Sequence, residues 1–212
     1  MPLNMRTFVT GPLQVNTYLL QSGNSCAVID PGSMMPDTFT RFIKGSEVTV
    51  DQIWLTHGHG DHIAGVALLK QQFPDATVYC PSADVDMLSD PTVNLSSWYM
   101  VEITSPPADA LINPGDVLTL GDTSWNVLDT SGHTPGGVSF YCEAENAVFT
   151  GDALFASSIG KTELPNGDER RLIGNIHDHL LTLPDETRVF SGHGASTTVG
   201  RERTTNRYLQ NR

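Results

Sequence analysis

Basic residues are scarce in this chain of 212 residues, which has 12 Lys plus Arg against 24 Asp plus Glu and a net charge of −12. A surface of that sign repels phosphate backbones, so we expect no nucleic-acid partner. Charged residues make up only 17% of the chain and hydrophobic residues 39%, a composition typical of a folded globular protein and not of a disordered one.

Long apolar runs are also missing. No stretch approaches the roughly 18 apolar residues that span a bilayer, and the N-terminus has no basic head followed by an apolar run. Cysteine is rare. The chain has three, Cys26, Cys80 and Cys142, and each lies in a strand-like run. We therefore expect a cytoplasmic protein with no membrane segment, no export signal and buried thiols in a reducing compartment.

Segments with the periods of strands and of helices alternate along the chain, which predicts an α/β fold. Many short strand-like runs and few amphipathic helices indicate two sheets with helices on their outer faces. The predicted helices are Pro36–Ile43, a helix that has Asp61 as its N-cap and ends before Pro74, Asp168–Leu183, and a short one at Arg201–Leu209. No convincing boundary divides the chain, so we expect a single domain over residues 1–212.

The strongest functional signal is a group of four potential metal ligands that follows the strand-like run 52–56. Its ligands are three imidazoles and one carboxylate, with two glycines between them. The sequence that contains it is Thr56, His57, Gly58, His59, Gly60, Asp61 and His62. The first two histidines are two apart on extended backbone and project to one side, whereas the Asp-His pair stands at a helix start and can point to a second position. Such nitrogen and oxygen ligands suit zinc, iron or manganese.

Three later residues have metal-binding chemistry and also follow strand-like runs. His133 lies in a glycine-rich loop, Asp152 in Thr-Gly-Asp, and His193 in Gly-His-Gly. Each of them alone is typical of an ordinary turn. Together they assign five of the seven histidines to one site, in loops that we expect to converge on one sheet edge.

The cluster at residues 57–62, followed in order by His133, Asp152 and His193, resembles the metallo-β-lactamase-fold hydrolases, and among them the small glyoxalase-II-like group. The similarity extends over nearly the whole chain and includes the segments 11–16, 30–32, 105–109, 160–168, 192–194 and 197–200. It implies a four-layer αββα sandwich of two mixed β-sheets with helices on the outer faces. That architecture agrees with the alternating periodicity.

The resemblance further implies a site for two divalent metal ions, zinc before iron or manganese. The first ion would be held by His57, His59 and His133. The second would be held by Asp61, His62 and His193, and both would be bridged by Asp152.

Three residues are expected to support these ligands. Asp30, at the end of a strand, matches a family carboxylate that orients a ligand histidine, unless it is only a turn residue before Pro31. Lys161 and Glu163 stand where the family has Arg and Asp, so the charges of an ion pair beside the site are retained.

The segment 82–114 has weak periodicity and is longer than an ordinary connection, which predicts either a lid or a partly helical insertion. Met87, Trp98, Tyr99 and Met100 make it a candidate for the substrate-facing lip. The other interpretation of these side chains is packing over the sheets.

A metal-dependent hydrolase is the function that such a site implies, acting on a small-molecule thioester or ester. Two ions about 3.5–4 Å apart would lower the pKa of a shared water and polarise the carbonyl, so no serine or cysteine nucleophile is needed. Asp61 and Asp152 are the expected catalytic carboxylates. Only 19 residues follow His193, so the helical domain that grips glutathione in full-length glyoxalase II is not expected here.

Two other functions stay open. Persulfide dioxygenases of the same superfamily use one iron at positions that match His57, His133 and Asp152, although the full ligand set favours two metals. A non-catalytic metal-binding protein is the second alternative, and the undamaged ligand set argues against it. β-Lactam hydrolysis is disfavoured because there is no export signal. RNA processing is disfavoured because there is no basic patch.

Overall fold

Two six-stranded β-sheets form the centre of the computed structural model, which describes residues 3–35, 37–45, 49–99 and 101–210. The first sheet consists, in spatial order, of β1 (Asn4–Thr10), β2 (Val15–Ser22), β3 (Ser25–Ile29), β4 (Gln52–Trp54), β5 (Thr77–Pro81) and β6 (Ala110–Ile112). Its first three strands pair antiparallel, and β3 to β6 pair parallel. The sheet is therefore mixed.

The second sheet is mixed as well. Its strands are β7 (Val117–Leu120), β8 (Thr123–Asp129), β9 (Val138–Cys142), β10 (Ala147–Gly151), β13 (Arg188–Ser191) and β14 (Thr197–Thr198). They lie in the order β14–β13–β10–β9–β8–β7, and only β10 and β13 are parallel neighbours. A small hairpin of β11 (Leu154–Phe155) and β12 (Ser158–Ile159) precedes the long helical segment.

The helices are short. They are α1 (Asp37–Gly45), α2 (Gly60–Ile63), α3 (Val66–Gln72), α4 (Glu169–Asn175) and α5 (Val199–Thr205). A π-helical turn at Ile176–Leu180 continues α4, and three 3₁₀ helices lie at Ser82–Leu88, Ser96–Tyr99 and Arg207–Leu209. None of the described helices is both long and apolar enough to cross a bilayer.

Buried strand residues point alternately into two different cores, which is why the strands are apolar almost throughout. In β2, Leu19 faces the α1 and α3 side, whereas Leu20 faces the second sheet. Between the sheets Trp54 and Trp125 meet edge to face, with ring centroids 5.9 Å apart. A third cluster packs α4, the π-helical turn and α5 on the second sheet. These layers confirm the αββα sandwich.

Three local predictions are settled by the structure. Cys26, Cys80 and Cys142 are buried free thiols, as expected. The predicted N-cap of the helix after the metal motif is wrong: α2 begins at Gly60 with His59 as N-cap, so the carboxylate of Asp61 lies inside the first turn. The break between α2 and α3 also divides what the periodicity presented as one helix.

Two further predictions concern segment boundaries. The segment 82–114 is the partly helical insertion, with two 3₁₀ helices and β6. The predicted helix at 168–183 is present as α4 and the π-helical turn, and Asp168 is its N-cap, since Oδ1 accepts a hydrogen bond from the backbone N–H of Arg171 at 2.9 Å. Pro36, the expected first residue of α1, lies outside the described residues.

Candidate metal centre

The predicted ligands lie in loops that follow the carboxyl ends of strands from both sheets. Asp30 and the loop 56–62 follow β3 and β4 of the first sheet, whereas His133, Asp152 and His193 follow β8, β10 and β13 of the second. The expectation that these loops converge on one sheet edge is therefore wrong. They converge at one end of the sandwich, where the backbone N–H of Val138 bonds to the carbonyl of Thr56 at 2.9 Å.

His57, His59 and His133 form what we call the first triad. The ring centroids are 4.9 Å apart for His57 and His59, 5.2 Å for His57 and His133, and 4.6 Å for His59 and His133. One nitrogen from each of the three lies within 4.8 Å of the others. All three residues are buried, at 2%, 6% and 6% exposure. The triad is therefore an enclosed set of imidazole ligands.

Asp61, His62 and His193 form the second triad, which is more open. Oδ2 of Asp61 lies 3.4 Å from Nε2 of His193 and 3.7 Å from Nε2 of His62, and the two imidazole nitrogens are 3.3 Å apart. The side chains of Asp61 and His193 are 23% and 28% exposed, whereas His62 is fully buried. The second triad is therefore open to solvent at these two residues.

The carboxylate of Asp152 lies between the two triads. Its Oδ2 is 3.7 Å from Nε2 of His133 and 3.4 Å from Nε2 of His193, and its Oδ1 is 3.4 Å from Nε2 of His62. Gly192 allows this approach, since a Cβ there would collide with Oδ1 of Asp152 and with the ring of His62. One carboxylate thus reaches ligands of both triads.

Backbone carbonyls orient two of the ligand rings. Nδ1–H of His133 donates to the carbonyl of Lys161 at 2.7 Å, and Nδ1–H of His193 donates to the carbonyl of Leu13 at 3.0 Å. A carbonyl can only accept a hydrogen bond, so each Nδ1 carries a proton, and Nε2 is the ring nitrogen that faces the centre. The neighbours thereby fix the tautomer that a metal ion requires.

Asp30 orients the other two anchored rings. Its Oδ2 lies 3.0 Å from Nδ1 of His62 and accepts a hydrogen bond from the Thr56 hydroxyl at 2.6 Å. That hydroxyl has its own proton engaged, so at 3.0 Å it accepts from Nδ1–H of His57. One buried carboxylate therefore acts on both triads, directly on His62 and through Thr56 on His57.

The expected ion pair beside the site is not present. Among the described residues no salt bridge joins Lys161 to Glu163, whose side chains are both exposed. Glu163 accepts instead from the backbone N–H of Thr162 at 3.1 Å. Lys161 supports His133 through its backbone carbonyl, a role that any residue at this position can fill.

The pKa shifts differ between the histidines of the first triad and those of the second triad. Burial and the neighbouring imidazoles lower the pKa of His59 to about 3 and that of His57 well below its usual value, so both rings are neutral. Burial acts in the same sense on His62 and His193, but adjacent carboxylates raise both pKa values, that of His193 to about 10. Burial opposes ionisation of Asp152, yet these histidines hold its pKa well below the usual range.

Buried polar atoms that lack a hydrogen-bond partner indicate that these residues are suited to bind metal ions. Nε2 of His57 and Nε2 of His133 are buried and have no hydrogen-bond partner among the described residues. Leaving two aligned imidazole nitrogens without partners costs several kcal/mol unless a cation takes their lone pairs. Together with carboxylates on the open side, they suit divalent transition metals.

The segment that carries the candidate lip is hydrogen-bonded to the histidine motif. The backbone N–H of Gly60 donates to the carbonyl of Asn94 at 2.9 Å, and the 3₁₀ helix Ser96–Tyr99 follows directly. Trp98 and Tyr99 are 58% and 62% exposed. They are therefore not covered by packing over the sheets, whereas Met87 is buried. Met100 lies outside the described residues.

Two further residues hold the His193 loop. Asn16 lies in the segment 11–16 of the family resemblance but had no predicted role, and Tyr18 was not singled out from the sequence. Nδ2 of Asn16 donates to the carbonyls of Ser191 and Gly194, at 3.0 and 2.9 Å. The hydroxyl of Tyr18 donates to the carbonyl of Ser191 at 2.6 Å. No local pattern marks either residue as functional, since both belong to β2. Thr56, by contrast, could have been found because it directly precedes the histidine motif.

Comparison with known proteins begins with a family model. The model described as "Metallo-beta-lactamase superfamily" matches residues 10–193. The "Probable metallo-hydrolase YqgX" of Bacillus subtilis is 37% identical over 208 residues, which are 98% of each chain. The "Hydroxyacylglutathione hydrolase GloC" of Haemophilus influenzae is 30% identical over 99% of this chain and 100% of its own.

Solved structures show the same relationship. The structure titled "BLEG-1 B3 metallo-beta-lactamase" has a TM-score of 0.92 and 37% identity, covering 98% of this chain and 100% of its own. TTHA1623, solved in a di-iron-bound form, has a TM-score of 0.85 and 35% identity, covering 96% of this chain and 100% of its own.

Proposed function

Because the chain belongs to the metallo-β-lactamase superfamily, we propose that it is a dinuclear metal-dependent hydrolase of small thioesters or esters. The observation that carries the proposal is the position of Asp152. Its two carboxylate oxygens lie within 3.4–3.7 Å of imidazole nitrogens from both triads. A carboxylate in that position can bridge two ions. We assign the first triad to one ion and the second triad to the other.

Two divalent ions, when bound, supply a hydroxide at neutral pH and polarise the scissile carbonyl. The protein residues supply the geometry. Hydrogen bonds at Nδ1 hold His57, His62, His133 and His193 so that Nε2 of each faces the centre. Such preorganisation means that little rearrangement is needed during the reaction.

Asp61 and Asp152 are the proposed catalytic carboxylates. Asp61 lies on the open side of the centre, where its free acceptor capacity can orient the attacking water by accepting its proton in a hydrogen bond. Its pKa is lowered by His62 and His193 against the effect of burial, so it is an acceptor at neutral pH. No nucleophilic serine or cysteine is required, which agrees with three thiols that are all buried in strands.

Thioesters are the proposed substrate class for two reasons. A relative that matches this chain over its whole length is named a hydroxyacylglutathione hydrolase. The candidate lip also has two exposed apolar side chains, Trp98 and Tyr99, and Leu13, whose carbonyl accepts from His193, is 40% exposed. Exposed apolar side chains on a substrate-facing lip would suit an acyl or thioether portion better than a highly charged one.

The deciding experiment combines metal analysis of the purified protein with hydrolysis assays on three substrates: a hydroxyacylglutathione, a simple aryl ester and a chromogenic cephalosporin. We expect about two metal ions per chain and chelator-sensitive turnover of the thioester. The cephalosporin is included because a similar solved structure bears the name metallo-β-lactamase. A protein with neither bound metal nor metal-dependent turnover would contradict the proposal.

One observation favours a second function, a mononuclear iron persulfide dioxygenase. The buried polar atoms that lack a hydrogen-bond partner among the described residues include Nε2 of His57, Nε2 of His133 and Oδ1 of Asp152. These are the three positions that match the single iron of such enzymes. The complete second triad favours the hydrolase, since one iron leaves it without a function. Oxygen uptake with glutathione persulfide, measured on the iron-loaded protein, separates the two.

A further inference from the structure

The insertion segment places a buried carboxylate behind the first triad. Asp84 lies in the 3₁₀ helix Ser82–Leu88, directly after β5, and is 0% exposed. It accepts three hydrogen bonds: from the backbone N–H of Gly58 at 3.1 Å, from the Thr134 hydroxyl at 2.7 Å, and from the backbone N–H of Gly136 at 2.7 Å. All three partners are donors, so the carboxylate acts purely as an acceptor.

The donors belong to the two loops that carry the whole first triad. Gly58 is the residue between its first two histidines, and Thr134 directly follows the third. These loops come from opposite sheets, after β4 and β8, so contacts between segments far apart in the sequence fix their separation. Asp84 connects them through one rigid carboxylate group. Its position is tight, since a Cβ on Gly136 would lie 2.8 Å from Oδ1 of Asp84.

The charge of Asp84 is as informative as its hydrogen bonds. Burial raises the pKa of this carboxyl, whereas its three hydrogen bonds and His133 favour the charged form. No salt bridge to a basic side chain offsets its charge within the described part of the chain. A buried carboxylate without a cationic partner is costly. A divalent ion in the first triad would supply the missing positive charge.

We propose that Asp84 is a positioning residue for the metal ion of the first triad. Its carboxylate sets the separation of the two ligand loops and adds negative charge behind the ion. The inference rests on the function proposed above, because it requires that the first triad binds metal. It also assigns the insertion segment a second role beside that of candidate lip, since its first helix supports the metal centre.

Asp84→Asn tests this role, with Asp86→Asn as the matched control. Asp86 lies on the same 3₁₀ helix but is exposed. The asparagine side chain has an NH₂ group in place of one carboxylate oxygen. That group faces one of the three hydrogen-bond donors and cannot accept from it, and the negative charge is lost. We expect the affinity for one of two Zn²⁺ ions to fall about 10–100-fold, as for other groups that orient metal ligands. Competition with a chromophoric chelator measures this, and Asp86→Asn should bind like wild type.

A merely structural role gives a different pattern. In that case Asp84→Asn lowers the free energy of unfolding of the metal-free protein but leaves both Zn²⁺ affinities of the folded protein within twofold of wild type, which overturns the inference. The proposed function fails separately, if wild type itself binds no metal. The d–d absorption of the Co²⁺-substituted protein provides a second readout, which we expect to change in Asp84→Asn and not in Asp86→Asn.

Thr134 supplies a variant pair in case Asp84→Asn does not fold. Thr134→Val removes the hydroxyl donor at nearly constant volume, and Thr134→Ser keeps it. We expect Thr134→Val to weaken Zn²⁺ binding severalfold and Thr134→Ser to bind within twofold of wild type. Equal affinities in the two variants would contradict the proposed role of the carboxylate.

Discussion

Oδ2 of Asp30 lies 3.0 Å from Nδ1 of His62, although 32 residues separate them in the chain. Asp30 follows β3 with a positive φ of 48°, a backbone conformation that aspartate and asparagine tolerate better than most residues. The same carboxylate accepts from the backbone N–H of Thr56 at 2.8 Å. It therefore connects the end of β3 to the start of the histidine motif and holds a ligand of the second triad.

Asp30→Asn tests this connection. Asparagine keeps the left-handed backbone accessible, so the substitution changes mainly the charge and one acceptor. We expect metal affinity and turnover to fall about 10–100-fold. The exposed Asp75→Asn is the control and should leave both unchanged. Wild-type affinity in Asp30→Asn would mean that this carboxylate is only a turn residue.

Asp152→Ala and Asp61→Ala test the catalytic assignment. Because each carboxylate faces imidazoles of the centre at 3.4 Å, we expect each substitution to lower kcat by at least about a hundredfold through loss of metal or of its geometry. Circular dichroism should show a retained fold. Unchanged turnover in either folded variant would remove that residue from the mechanism.

Trp98→Ala tests the lip. The side chain is 58% exposed, so its removal should cost little stability. We expect KM for a thioester to rise about tenfold, equivalent to ~1.4 kcal/mol of lost contact, with kcat changed less than twofold. Leu111→Ala is the control, because Leu111 is 52% exposed on β6. Steady-state kinetics that show no rise in KM would exclude contact between Trp98 and substrate.

Phe149→Ala tests the packing between the sheets. Its ring lies 4.8, 5.5 and 5.2 Å, centroid to centroid, from those of Tyr18, Trp125 and Phe190. We expect the free energy of unfolding to fall by about 3–5 kcal/mol, against less than about 0.5 kcal/mol for the exposed Val117→Ala. Urea unfolding of the metal-free protein measures both. Similar losses in the two variants would contradict the assignment of this cluster as the central core.

The thiols offer a test of burial that depends on pH. Burial raises the pKa values of Cys26 and Cys80 to about 12 and also raises that of Cys142. A raised pKa lowers the thiolate fraction at pH 8, and the thiolate is the reactive form. An aromatic disulfide reagent should therefore label none of the three thiols in the folded protein and all three in guanidinium chloride. Rapid labelling of the native protein would show that a strand opens readily.

The ligand set of the centre is predictable from the sequence because its central part is local. His57, His59, Asp61 and His62 are fixed relative to one another by a few backbone dihedrals, and the structure brings His133 and His193 to them. The four layers are equally predictable, since strand alternation and helical periodicity are properties of short segments. The metal ligation itself stays a prediction until metal is measured.

The supporting contacts were less predictable. Asp30 was expected to orient a ligand, but its target, and the relay through Thr56 to His57, depend on how β3 and β4 lie in the first sheet. The Lys161–Glu163 ion pair was expected because the family resemblance implies Arg and Asp at these positions and the opposite charges are retained. Both side chains are instead exposed to solvent. Hydration of each charged group there competes with the formation of an ion pair between them.

The sequence by itself determined the layer pattern and which residues have metal-binding chemistry, because both depend on side-chain type and short-range spacing. Only the tertiary structure decided that the ligand loops come from two sheets, and that Leu13, Lys161 and Asp84 hold them in place. The physical reason is that every residue carries a backbone carbonyl, and every residue except proline a backbone N–H. Which of these backbone groups a side chain contacts therefore depends on where distant segments of the chain meet. A local sequence pattern does not contain that information.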